Sequence, residues 1–545
     1  MQIPREIRNN LRFLIAEVGS QVANLRDSFR ESSIADARRV LERSGYAYNL
    51  MSRIHEACYG HAGSGSKAGA ISAMRAVESI ATELERISGL CRACVKQMER
   101  LQAGQWQGAG TYLSMLKDVG KAINRVESAV RSDDAGLAMK IGMIKPGLDK
   151  AYNRLLKTYM DGLRKRKHTE DLVTGLLMAH GVEQMGDALL NISEAIISAN
   201  LGQPMNTDRY ESMRASFDQL DAVDDPSALV VEPIAETRSG SGISGVGLPD
   251  RQAGEYVAIY KDGKKRKLRD ERRGLKSWQQ KFPGLTPRVI SYRKRGQSAS
   301  MLIEHLAGLT FEQVLLHESP KVMKESLARL NKTMTRVWQE TRSDKPVAAG
   351  FMRQLSRRLE DVYMIHPEFR QRECSICGHS VPSYGTLLKK AHAREAQISP
   401  PFSVYIHGDF NVDNIIYDPV TRKISFIDLH RSRYMDYVQD VSVFMVSNYR
   451  LQIFDVPLRR RIHRLTNDFY RFAASYARKS GDRTFELRLA LGLARSFATS
   501  TRFILDKSLA KDMFMRSRYL IEQVLATRPA DVNSFRVPVR EIFVG

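Results

Sequence analysis

The chain has 545 residues, more than one domain of the usual size (about 100–200 residues) would hold, and its 43% hydrophobic and 27% charged residues exclude a largely disordered protein. A formal net charge of +23 favours anionic partners such as nucleotides, nucleic acid or acidic lipid without choosing among them. No run approaches the roughly 18 consecutive apolar residues of a membrane span, the first residues are charged throughout, and five cysteines make no disulfide framework, so a cytoplasmic, reducing location is expected.

From Arg5 to about Leu201 the apolar residues recur at helical spacing, with little strand signal. Val77, Ile80, Leu84, Ile87, Cys91, Cys94 and Met98 alternate steps of three and four, which lays one apolar seam along a helix. Met178, Val182, Met185, Leu189, Ile192 and Ile196 repeat the pattern, and the helices upstream of the two seams also align. The region therefore reads as two copies of a three-helix unit, an all-α six-helix bundle. Cys91 and Cys94 have C-x-x-C spacing, but both fall on the seam and read as core filling.

The run Val182-Glu183-Gln184-Met185-Gly186-Asp187, followed by Asn191-Ile192-Ser193-Glu194, resembles the signature of the PhoU family of phosphate-uptake regulators. That resemblance covers about the first two hundred residues. It implies a helical bundle that binds metal through paired carboxylates and acts on phosphate-transport or sensor proteins. Glu183 and Asp187, four apart, would place two oxygen ligands on one helix face. The first copy departs from the pattern: Gly89 stands where a second carboxylate belongs, and Ser44 and Lys145 replace the carboxylates of the second helix in each copy. Two readings of Glu183 and Asp187 stay open, a surviving metal site and a pair of solvated or helix-paired carboxylates.

Residues 203–229 turn polar, with Asp218, Asp221, Asp224, Asp225 and Pro226 and no sustained apolar stripe, and read as a linker. Beyond them strands and helices alternate. In the run Val404 to Ile416 an apolar strand delivers His407-Gly408-Asp409, Asn414 follows five residues beyond the Asp, and a second strand ends at Asp428. Phosphoryl transfer needs such parts: a carboxylate beside the acceptor hydroxyl, and an Asn and an Asp to hold metal against phosphates.

This run is similar to the catalytic loop of aminoglycoside phosphotransferases and choline kinases, and the likeness extends over about residues 230–450. It implies an α+β, protein-kinase-like two-lobed fold and an ATP- and Mg2+-dependent phosphotransferase acting on a hydroxyl of a small molecule. Carried over by position, Asp409 is the catalytic base, His407 a loop-stabilising partner, Asn414 and Asp428 the magnesium ligands, and Asp440 a structural aspartate. Gly240, Gly242 and Gly245 lie in a Gly/Ser run placed to fold over phosphates. Lys261 ends an alternating strand as the phosphate-clamping lysine does, and Glu271 stands where its partner carboxylate does. Asp270 and Lys264 are the substitutes for Glu271 and Lys261. Glu304 and Leu306 lie in the run that matches the adenine-contacting hinge.

The expected organisation is a PhoU-like bundle over 1–202, a linker over 203–229, a small nucleotide-binding lobe over 230–310 and a large catalytic lobe over 311–545. The alternative function is a nucleotide-sensing regulator of phosphate uptake without catalysis. The basic runs Arg164–Lys167 and Lys264–Lys267 lack interleaved aromatics, so nucleic acid is not the expected partner. Cys374, Cys377 and His379 could supply three zinc ligands, with His366 or His392 as a remote fourth, or could form a simple thiol pair.

Overall fold

The computed structural model describes residues 3–31, 34–61, 68–101, 108–165, 168–202, 204–217, 220, 229–236, 242–248 and 255–544. They divide into two compact units, Met1–Asp262 and Gly263–Gly545. Among the described residues no helix is long and apolar enough to cross a membrane.

The first unit opens with two copies of one helical plan. Arg5–Glu31, Ile34–Glu42, Ser44–His61 and Ala68–Met98 form the first copy, and Ala109–Ser132, Ala135–Gly142, Lys145–Arg164 and Thr169–Leu201 form the second. The predicted middle helix of each copy is divided into two pieces. In the second copy Pro146 explains the break, because it has no N–H to donate and is tolerated only in a first turn. Asp134 caps the short piece by accepting from the backbone N–H groups of Gly136 and Leu137.

Both predicted seams are core. Val77, Ile80, Leu84 and Ile87 are fully buried, as are Met178, Val182, Met185, Leu189, Ile192 and Ile196. Their helices, Ala68–Met98 and Thr169–Leu201, pack along each other's length. Polar rungs fix the register, with Arg86 donating to Gln184 at 2.7 Å and Asn191 donating to Glu83 at 2.9 Å. Cys91 and Cys94 are buried in this interface, and burial pushes both thiols up, Cys94 to about 12. They fill the core as expected.

Part of the polar stretch after residue 202 is structured. Thr207–Phe217 is a helix that buries Tyr210, Met213 and Phe217. Glu194, from the motif helix, accepts from the Thr207 N–H at 3.1 Å. At the other side Arg209 pairs with Asp262 at 2.7 Å, and Phe217 meets Tyr260 edge-on at 6.5 Å. Asp262 and Tyr260 belong to Ala258–Lys264, which runs antiparallel to Gly242–Gly247, itself antiparallel to Val230–Glu236.

The second unit begins with the helix Lys265–Lys281 and the hairpin Val289–Arg295 and Ser298–Glu304. Its core is helical. Every residue of Phe485–Ser500 except Glu486 is buried, as a helix apolar on most sides requires. Two buried arginines depart from this chemistry, and one of them, Arg488, only 2% exposed, forms ion pairs with the buried Asp436 and Asp482. Two short antiparallel pairs, Val404–Ile406 with Arg433–Met435 and Ile415–Asp418 with Lys423–Phe426, frame the candidate catalytic loop.

Cys374 and Cys377 lie on an exposed hairpin, Cys374–Ile376 paired with His379–Val381. His366 is buried elsewhere, its Nε2 within 3.0 Å of the Thr501 and Ile504 carbonyls. Among the described residues no three-ligand group forms around these cysteines.

Candidate functional site

In the second unit the strand Val404–Ile406 ends at His407, and the loop it delivers is held by its own side chains. Asp440, fully buried at the start of Val438–Tyr449, accepts from the N–H groups of His407 and Gly408 at 2.8 Å each. Burial pushes its carboxyl up to about 7 against these two hydrogen bonds. His407 lies 3.0 Å from the Ile427 carbonyl through Nε2, which must therefore carry the proton, so Nδ1 accepts from the Asp409 N–H at 3.3 Å. Burial pushes this imidazole down to about 4, against the pull of Asp409 and Asp428, and keeps it neutral. Gly408 has φ +86°, and a Cβ there would stand 2.6 Å from the Arg431 carbonyl. No other residue fits.

The loop presents Asp409. Its Oδ1 accepts from Asn411 at 3.0 Å and from Arg431 at 3.2 Å. Asn414 closes the 3₁₀ turn Val412–Asn414 and donates to the Asp409 carbonyl at 2.9 Å. Asp428 adopts φ +57°, an uncommon conformation for a residue with a Cβ. Its carboxylate bonds His430 Nδ1 at 2.8 Å. Ligand atoms of Asp409, Asp428 and His430 all lie within 4.8 Å of one another, and the two carboxylates are hard oxygen donors that fit a divalent cation, with His430 held beside Asp428. Sequence reasoning missed His430, whose only signal was its place two residues after the strand-end aspartate.

Glu271 is 2% exposed on Lys265–Lys281. The same helix carries Gly274, where a Cβ would lie 2.1 Å from the Leu429 carbonyl oxygen, so helix and Asp428 segment meet backbone to backbone. Trp278 adds a bond from Nε1 to Ser432 at 2.8 Å. At the predicted hinge, the Glu304 N–H donates to the Arg288 carbonyl at 2.9 Å, and Leu306 follows the strand half-buried.

The first unit holds the other predicted nucleotide residues. Lys261 is 7% exposed and stands opposite Ile243 in the strand register. It is no solvated strand end. Gly240 lies outside the described residues. Gly242 and Gly245 sit in a strand instead of an open loop. The Tyr256 ring occupies the space a Cβ at Gly245 would need, 2.1 Å away, so packing by itself accounts for that glycine.

The predicted metal pair lies in the same unit, but its place is taken. The Lys145 ammonium reaches Glu183, Asp187 at 2.7 Å and Asp149 at 2.9 Å. Burial alone would lower its pKa, yet the hydrogen bonds to Asp149, Asp187 and Glu183 outweigh burial and hold it above the ordinary lysine range. An ammonium among three carboxylates does not fit a bound cation at that point, because like charges would compete for the same oxygens.

Residues 250–475 match the Phosphotransferase enzyme family, and residues 112–196 match the PhoU domain. No curated protein matches this chain. Among solved structures, PhoU from Pseudomonas aeruginosa is 18% identical over 36% of this chain and 95% of its own (TM-score 0.34). An aminoglycoside-3'-phosphotransferase of type VIII is 17% identical over 53% of this chain and 98% of its own (TM-score 0.34). Plasmodium vivax ethanolamine kinase is 12% identical over 58% and 89% (TM-score 0.36).

The second half of the chain thus contains a region, residues 250–475, that is similar to phosphotransferases. Together with the first half, the protein is a PhoU-like helical region joined to a phosphotransferase-like one.

Proposed function

We propose that this protein transfers the γ-phosphoryl group of ATP to a hydroxyl of a small molecule, in the cytoplasm, with the PhoU-like region as its regulatory part. The observation that carries the reading is the convergence of Asp409, Asp428 and His430 at the end of a loop built by Asp440 and His407. A rigid anionic centre of this kind is what phosphoryl transfer asks of a protein, since its catalysis is mostly positioning and charge neutralisation.

Asp428 and Asn414 would hold magnesium, with His430 steadying the Asp428 carboxylate. Asn414 donates through its nitrogen to the Asp409 backbone, so its Oδ1 is the end that meets a cation. Magnesium, when bound, supplies positive charge against the phosphate oxygens. Asp409 orients the acceptor hydroxyl and takes its proton through Oδ2, because Asn411 and Arg431 both engage Oδ1. Lys261, held near-buried in its strand, would meet the α- and β-phosphates, with Glu271 as its counter-charge. Glu304 and Leu306 would offer backbone groups to adenine, and Gly240, Gly242 and Gly245 would line the phosphates. The division into 1–202, 203–229, 230–310 and 311–545 follows from the same reading, the last two segments forming the lobes.

The test is ATP-dependent phosphorylation of a metabolite extract, followed by mass spectrometry. Asp409→Asn should lower transfer by about 10²–10⁴-fold, the usual worth of such a group, while Mg-ATP binding persists. Equal product from wild type and Asp409→Asn would defeat the assignment.

A further inference from the structure

Beside Asp409 the second unit opens a cavity of about 370 Å³, and arginines line it: Arg357, Arg358, Arg431, Arg433 and Arg495, together with His430. They come from separate parts of the chain. Arg357 ends the helix Phe351–Ser356, Arg358 starts Leu359–Ile365, Arg433 begins the strand after the Asp428 loop, and Arg495 projects from the core helix Phe485–Ser500. The fold has gathered them at the catalytic carboxylate.

Counter-charge does not match them. Arg431 uses Asp409 at 3.2 Å. Asp361 is engaged by Arg502 at 2.9 Å, and Asp440 is committed to the loop N–H groups. Arg495 is 4% exposed, yet its Nε has no hydrogen-bond partner and a terminal guanidinium nitrogen donates to Ser442 Oγ at 3.4 Å. Burial, then the charges of Arg358 and Arg431, push Arg495 down to about 9. Burial and Arg431 also act on Arg358 in the same direction. A guanidinium does not give up its proton in a protein, so these cations stay charged and crowded. A buried, unsatisfied guanidinium facing a cavity is compensated by an anion that enters it.

We infer that the acceptor of this phosphotransferase is itself an anion, a small hydroxyl compound carrying a phosphate ester that the arginine cavity grips beside Asp409. The inference rests on the proposed phosphotransferase activity and names its substrate class. A phosphate ester suits the cavity better than a carboxylate. One bidentate guanidinium satisfies both oxygens of a carboxylate, whereas phosphate offers three oxygens to several arginines at once. An amino-bearing acceptor fits badly, since its cation would meet five others. In the reaction the bond from the γ-phosphorus to the ADP oxygen breaks, a bond from that phosphorus to the acceptor oxygen forms, and the hydroxyl proton passes to Asp409. The product carries two phosphates, and ADP leaves.

The experiment uses the full chain in two arms at constant ionic strength. First, inorganic phosphate is titrated without nucleotide and read by thermal shift against chloride, in wild type and an Arg358→Gln, Arg433→Gln variant. Second, transfer from Mg-ATP is compared for glycerol 3-phosphate and glucose 6-phosphate, for the neutral glycerol and glucose, and for choline. Phosphate should stabilise wild type, and the variant should bind it about tenfold or more weakly, as loss of charge-assisted bonds implies. The phosphate esters should exceed their neutral parents by about a hundredfold in kcat/KM, and choline should be the poorest. Unchanged phosphate binding in the variant, or choline preferred over the esters, would overturn the inference. If Mg-ATP neither binds nor supports transfer to any compound, the phosphotransferase reading falls. The first arm still decides whether the cavity binds phosphate.

Discussion

Lys145 shows how one residue changes the chemistry of a carboxylate cluster. Its ammonium holds Glu183, Asp187 and Asp149 together where two carboxylates of the same motif would otherwise be free to bind metal. Because its folded pKa is raised, the stabilisation is present at all physiological pH and is lost only as pH rises past lysine's ordinary value. Lys145→Ala should cost about 1–3 kcal/mol, since Glu183 is nearly buried while the two aspartates keep some solvent. Urea denaturation would measure it. Added Mn2+ or Mg2+ should stabilise Lys145→Ala more than wild type, which can gain only from the Asp428 site; an equal gain in both would show that the lysine does not exclude metal.

At the scale of elements, the contact between the helix Lys265–Lys281 and the Asp428 segment is the tightest in the candidate site. Gly274→Ala would drive a methyl into the Leu429 carbonyl. The helix must then retreat, at about 1–3 kcal/mol for an overpacked contact, and Asp428 must move with it. Reduced transfer together with a lower melting temperature is the expected result. A variant that loses neither would mean that the segment yields without consequence.

Legibility in the sequence followed locality. The candidate loop could be read as one unit because His407, Gly408, Asp409 and Asn414 are near neighbours in the chain, and the helical seams because burial imposes a period. The arginine cavity could not. Arg357, Arg358, Arg431, Arg433 and Arg495 each look like ordinary surface charge in their own segments, and only the tertiary fold brings them together. Lys145 was visible as a missing ligand, but nothing local said that its side chain would turn back to Glu183. The helix Thr207–Phe217 was hidden by its acid-rich surroundings, although Tyr210, Met213 and Phe217 keep helical spacing.

For the whole molecule, nucleotide should act as a stabilising ligand. Mg-ATP bound only to the folded protein adds RT ln(1 + [L]/Kd), about 2.7 kcal/mol at a hundredfold excess. Calorimetry should show this shift in wild type, and Lys261→Ala should remove most of it. Lys264→Ala should not, because Lys264 is exposed at the strand end and contributes only diffuse attraction that salt screens. Equal shifts in wild type and Lys261→Ala would reject the clamp.

The helix Thr207–Phe217 gives that nucleotide effect a second address. One end is tied to Glu194 of the motif helix, and Arg209 is tied to Asp262, the residue after Lys261. Thermodynamic linkage is reciprocal. Whatever factor ATP, by changing the Lys261 strand, imposes on a partner's affinity for the PhoU-like helices, the partner must impose on the affinity for ATP. Nucleotide at Lys261, as proposed, and any ligand of the motif helix would share one equilibrium constant through the helix Thr207–Phe217.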